Sequence, residues 1–118
     1  MSFSIEIRRL DRAIVLELSG RLSVLEQELR QCAWELIESG ERIFFINLAR
    51  PSYLDNSGLG QLLLIYTMLK DRGGEMKLVR PTPRIRKLLS ITKLDTVFEL
   101  VESEDATNDQ GLRSTVSA

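Results

Sequence analysis

Residues 43–79 read IFFINLARPSYLDNSGLGQLLLIYTMLKDRGGEMKLV. The stretch opens on Ile43-Phe44-Phe45-Ile46-Asn47-Leu48, a nearly unbroken apolar run bounded by charge and by Pro51, as expected of a strand covered on both faces and set centrally in a sheet. A helical pattern follows from about Gly58 to Arg72 and stops at Gly73-Gly74, and Met76-Lys77-Leu78-Val79-Arg80 reads as the next strand. A strand, a helix and a strand in that order favour a right-handed parallel crossover.

The flanking sequence extends this unit in both directions. Residues 4–9 and 13–19 read as strands joined through Leu10-Asp11-Arg12, with Ile14, Leu16 and Leu18 on a plainly apolar face and Ala13, Val15 and Glu17 on a mixed one. Ser23 and Glu26 have the spacing of a capping box, and Leu25, Leu29, Cys32, Ala33, Leu36 and Ile37 then recur at helical spacing, with Glu28, Arg30, Glu35 and Glu38 on the wet side and Gly40 as the stop. This assigns Cys32 and Trp34 to packing. On the other side, Thr82-Pro83 opens a third helix with Ile85, Leu88 and Leu89 inside and Arg84, Arg86 and Lys87 outside, and Thr96–Val101 closes the set as a strand. The sum is an α/β or α+β single domain with a mixed sheet, residues 1–101, followed by a polar tail or short helix over 102–118 with only Leu112 and Val116 to bury.

Composition narrows the function. Of 118 residues 43% are hydrophobic and 28% charged, so the chain has the makings of an ordinary core. There is one cysteine and no histidine, which excludes an internal disulfide, a Ser-His-Asp or Cys-His nucleophile and a Cys/His metal site. No metal, cofactor or catalytic residue is therefore expected. A net charge of −1 offers no basic field for nucleic acid, and the absence of a membrane-length apolar run or a signal-like start predicts a cytoplasmic protein without direct membrane insertion.

The densest cluster of unusual residues is Asp55-Asn56-Ser57-Gly58-Leu59-Gly60, where the central strand meets the second helix. Asp, Asn and Ser all cap helices, and three in succession exceed what one cap needs. Gly58 and Gly60 strip the first turn of bulk, so another molecule can approach the backbone there. At 100° per residue Leu59, Leu62, Leu63, Tyr66 and Leu69 form the core stripe, while Leu64 and Met68 share the opposite side with Ser57, Gly60, Gln61 and Asp71. Apolar side chains in line with polar cap residues form a candidate contact patch, to which methionine can adapt. A covering element of the chain itself is the competing explanation. P-loop and nucleophile-elbow spacings are not met around these glycines. The acidic group Glu99, Glu102, Glu104 and Asp105 and the basic group Arg80, Arg84, Arg86 and Lys87 read first as solvated faces, the one with a remote capacity for a hard cation, the other for an acidic partner.

The run Tyr53-Leu54-Asp55-Asn56-Ser57-Gly58-Leu59-Gly60, the helix to Lys70-Asp71-Arg72-Gly73-Gly74, the strand Met76-Lys77-Leu78-Val79, and Leu88 through Leu94 to Phe98 resemble the STAS domain, whose small free-standing members are anti-sigma-factor antagonists. The resemblance covers about residues 4–101. It implies an α/β domain with a mixed, mostly parallel sheet of about five strands, an N-terminal hairpin and helices packed mainly on one face. It also implies a bacterial partner switch, in which the antagonist binds an anti-sigma serine kinase-like ATPase, phosphorylation ends the binding and a serine phosphatase restores it. Partner contacts are then expected at Ser52, Asp55, Asn56, Ser57, Gly60, Gln61, Leu64 and Met68. Three positions depart from the family. Asn56 stands at the usual phosphoacceptor serine and cannot be phosphorylated, leaving Ser57 as a possible substitute; Asn47 stands where Asp is common; and Lys93 stands where glycine is common. The alternatives are a non-enzymatic subunit of a signalling scaffold or lipid-transport complex, and, remotely, an enzyme with Asp55 as base and Ser57 as nucleophile.

Overall fold

A computed structural model describes residues 3–22 and 27–104, the side chains of Leu22, Ser52 and Tyr53 excepted. The expected capping box at Ser23 and Glu26 and the tail beyond Glu104 lie outside the described residues. Five strands and three helices alternate as β1 (Phe3–Arg9), β2 (Ile14–Leu22), α1 (Glu28–Glu38), β3 (Ile43–Leu54), α2 (Asn56–Asp71), β4 (Glu75–Val79), α3 (Pro83–Ile91) and β5 (Glu99–Val101). The strands lie side by side in chain order. β1 and β2 are antiparallel, whereas β2–β3, β3–β4 and β4–β5 are parallel pairs, each bridged by a helix. This is the mixed five-stranded α/β sheet expected.

All three helices pack on one face. Ile14, Leu16, Leu18, Phe44, Ile46, Leu48, Met76 and Leu78 point there and form a single core with Leu29, Ala33 and Ile37 of α1, Leu59, Leu62, Ile65 and Leu69 of α2, and Ile85 and Leu89 of α3. The alternate residues Val15, Phe45 and Val79, with Ala13, make a smaller buried cluster on the other face, so β3 is indeed enclosed on both sides. Its polar border is tied across strands. Lys77 Nζ donates to Glu75 at 2.9 Å and to Glu99 at 2.8 Å. Burial presses the Lys77 pKa down, but the two carboxylates outweigh it and hold the ammonium above its ordinary value. On the same side the Glu104 carboxylate receives hydrogen bonds from Arg8 and from the buried Asn47 amide, whose Oδ1 accepts from the Ala49 N–H. An aspartate at 47 would set a second carboxylate against Glu104 with no N–H to donate.

Helix ends follow the sequence closely. Thr82 Oγ1 accepts from the Ile85 N–H at 3.2 Å, with Pro83 at the first helical position. Both α1 and α2 close in Schellman motifs, through Gly40 N to Ile37 O with Glu41 N to Leu36 O, and through Gly73 N to Lys70 O with Gly74 N to Leu69 O.

Three expectations need correction. The central strand does not end at Pro51 but runs to Leu54. Its pairing with β2 continues through Gly20–Pro51 and Arg21–Tyr53 across a register shift, while β4 pairs only as far as Asn47, so the proline lies where β3 is an edge on one side. The last strand begins at Glu99 rather than Thr96, because Leu94–Thr96 winds into a 3₁₀ turn with Val97 N and Phe98 N donating to Leu94 O. Lys93, which introduces this turn, has φ of +65°, a left-handed conformation that a side chain destabilises by roughly 1 kcal/mol. Trp34 is exposed on α1, its ring stacked under the Arg72 guanidinium at 5.1 Å, whereas Cys32 is half-buried as expected, its thiol pushed up by burial and then by Glu35. Among the described residues no helix is long and apolar enough to cross a membrane.

Candidate functional site

The junction of β3 and α2 lies at the carboxyl edge of the parallel strands. Asp55 is the N-cap, extended at φ −106° and ψ −173°, and its Oδ1 accepts from the Gly58 N–H at 2.9 Å while its carbonyl takes the first helical hydrogen bond from Leu59. One cap is thus enough. Asn56 and Ser57 are exposed, and among the described residues neither side chain has a hydrogen bond within the chain. They stand free at the positive end of a 16-residue helix. The Asp55 carboxylate is committed to the helix backbone and makes no bond to Ser57, so no base and nucleophile are paired here.

The wheel of α2 is rotated relative to the expected one. Its buried line is Gly58, Leu62, Ile65 and Leu69, flanked by Leu59 and Gln61. Leu63, expected inside, is 36% exposed, and Ile65, absent from the expected stripe, is fully buried. Gln61, expected at the contact surface, is only 8% exposed and belongs to the flank under the helix. Met68 is half-buried and packs against the core, so it contributes an edge rather than a knob. Leu64 holds its expected place, 42% exposed. The Ser52 side chain lies outside what the structure describes. The outward crest therefore runs Asn56, Ser57, Gly60, Leu63, Leu64 and Thr67. Centring the apolar stripe on the i, i+3, i+7 spacing of Leu62, Ile65 and Leu69 would have found Leu63 from the sequence.

Gly60 sits in the middle of this crest. It is exposed, and a Cβ built on it would meet nothing within 4 Å. The fold does not need glycine there, and glycine inside a helix is less stable than alanine by about 1 kcal/mol. Gly60→Ala is accordingly expected to raise the unfolding free energy by about that amount in urea titration. Gly58, by contrast, is buried and serves packing rather than approach from outside.

No metal cluster occurs among the described residues: of the acidic group, Glu99 is paired with Lys77, Glu102 with Arg86 and Glu104 with Arg8, while Asp105 lies outside the described residues.

Residues 4–107 match the STAS domain model. The chain is 28% identical to the anti-sigma-B factor antagonist of Bacillus subtilis over 101 residues, covering 85% of this chain and 92% of that one. It is 25% identical to a STAS-domain containing protein of Pseudomonas aeruginosa over 87 residues, 74% of this chain and 86% of the other. Among solved structures, the anti-sigma factor antagonist SpoIIAA in its unphosphorylated form superposes with a TM-score of 0.80 at 23% identity, covering 95% of this chain and all of that one. An anti-sigma factor antagonist from Mycobacterium paratuberculosis gives 0.82 at 22% identity, with 96% of each chain covered. At these identities the structural matches establish a common fold.

Proposed function

Since the chain belongs to the STAS domain family, we propose that it is a protein-docking module of the anti-sigma-factor antagonist type, which binds an anti-sigma serine kinase-like ATPase through the α2 crest and so releases a sigma factor. The observation that carries this reading is Gly60: a helical glycine in open space, between a free Asn56 and Ser57 above and an exposed Leu64 below. A glycine that the chain itself does not require suits the close approach of another backbone. Leu64 and Leu63 supply apolar area to such a contact, and Asn56 supplies an amide that both donates and accepts. The role is binding, without chemistry at Asp55 or Ser57.

The switch seen by implication in the family works through charge. A phosphate at position 56 adds about −1.5 to −2 charges at a helix N-terminus, where the fold tolerates it but a close-packed interface does not. Asparagine cannot take a phosphoryl group, so this chain is held in its unmodified, binding-competent state. The chain then answers to the amount made rather than to the kinase and a phosphatase.

Incubation with the anti-sigma serine kinase of the same bacterium and Mg-ATP tests this. The wild type is expected to remain unlabelled and bound, whereas Asn56→Ser is expected to take up phosphate stoichiometrically and dissociate. Stoichiometric phosphate on Ser57 of the wild type overturns the permanently competent state. Failure of the kinase to bind either protein favours the second reading, a STAS subunit of a signalling scaffold or lipid-transport complex, for which the missing acceptor at 56 is the supporting feature.

A further inference from the structure

The net charge of −1 conceals a segregation of charge across the helical face. α1 carries Glu28, Glu35 and Glu38 against Arg30, while α3 carries Arg84, Arg86 and Lys87 and no acid. These cations occupy the first half of α3 with no acidic residue in its first turn, the arrangement that a helix dipole disfavours. Arg86 is paired with Glu102 beyond β5. Arg84 and Lys87 are exposed and have no ion pair among the described residues.

Arg84, Lys87 and Ile91 follow at i, i+3 and i+7 and so form one stripe, on the flank of α3 away from Arg86. With Ile85 and Leu89 buried and Arg86 turned to the β5 side, that stripe points outward and leans to the α2 side. The α2 flank across from it carries Leu63 and Tyr66, as the edge-on contact of Tyr66 with Phe98 at 5.5 Å indicates, since Phe98 lies in the segment that follows α3. Both helices run down from the carboxyl edge of the sheet, with Leu63 about 10 Å from the start of α2 and Ile91 about 12 Å from the start of α3. Ile91 is 67% exposed, the most exposed large apolar side chain described. Lys70 adds a further cation below Leu63, its Nζ 5.7 Å from the Tyr66 ring centre.

We propose that the partner gripped by the α2 crest also lays an acidic amphipathic segment of its own chain along α3, with carboxylates on Arg84 and Lys87 and apolar side chains on Leu63 and Ile91. The inference rests on the docking reading above and adds a second contact and its chemistry. Exposed leucine and isoleucine within the strip, on a molecule of acidic isoelectric point near 5.5, favour a polypeptide over a nucleic acid.

The test is the affinity of the full chain for the anti-sigma kinase at low and high salt, for the wild type, for Arg84→Glu with Lys87→Glu, and for Leu64→Asp. The double charge reversal is expected to weaken binding at least tenfold at low salt and to flatten the salt dependence, with no fall in melting temperature, because it places acids where the α3 dipole favours them. The neutral pair Arg84→Gln and Lys87→Gln is expected to give an intermediate loss and serves if the reversal misfolds. Unchanged affinity in the charge variants together with a loss in Leu64→Asp overturns this inference and leaves the docking reading standing. Unchanged affinity in all of them overturns both. Single-stranded DNA of 20 nucleotides that binds the wild type as tightly as the kinase does, and is lost on charge reversal, overturns the acidic-polypeptide assignment.

Discussion

Gly74→Ala is expected to destabilise the protein by about 2–3 kcal/mol, a fall of roughly 10 °C in melting temperature for a domain of this size. Gly74 is the third residue past the end of α2 and is buried where the chain turns into β4. A Cβ there would overlap the Arg42 carbonyl oxygen and press on Leu69 Cδ2 at 3.0 Å. The obstacle is backbone at the foot of β3, and the same carbonyl accepts from the Glu75 N–H at 2.8 Å, so it cannot move without loosening the β3–β4 register. The neighbouring Gly73, at φ +78°, has open space for a Cβ but a conformation that only glycine adopts easily. Thermal unfolding of Gly74→Ala and Gly60→Ala side by side gives opposite signs, because one glycine answers to the fold and the other does not.

Leu64→Asp is expected to reduce affinity for the anti-sigma kinase about a hundredfold, some 2.7 kcal/mol, while changing stability by less than about 0.5 kcal/mol. Leu64 loses little on exposure because it is already 42% exposed in the free protein. The penalty arises in the complex, where a carboxylate replaces an apolar anchor and must be desolvated without a partner. Met68→Asp divides the loss differently: Met68 packs against the core, so its carboxylate destabilises the free domain as well as the contact. Urea curves and binding measured on the same preparations separate the two residues.

The physical reasons for what the sequence did and did not reveal are local. Runs bounded by strong punctuation, Ile43–Leu48 before α2 and Thr82-Pro83 before α3, announce their elements because apolar periodicity and capping act over a few residues. The continuation of β3 through Pro51 is decided by a partner strand thirty residues earlier, at Gly20 and Arg21, and no local signal carries it. The cap cluster at Asp55 was legible for the same reason the caps were. The rotation of α2 was less so, because Leu62, Leu63 and Leu64 are consecutive and identical and a wheel centred one residue away fits them nearly as well; burial of Gln61 and exposure of Leu63 follow from the true centre. Charge segregation between α1 and α3 disappears in a net value, and it becomes meaningful only once the three helices are known to share one face.

Docking requires that the α2 crest be left open for a second polypeptide. Its most direct measurement is a calorimetric titration of the anti-sigma kinase with wild type, Gly60→Ala and Leu64→Asp. Gly60→Ala, though more stable than the wild type, is expected to bind at least tenfold more weakly, and Leu64→Asp weaker still. Wild-type affinity in both folded variants would contradict it.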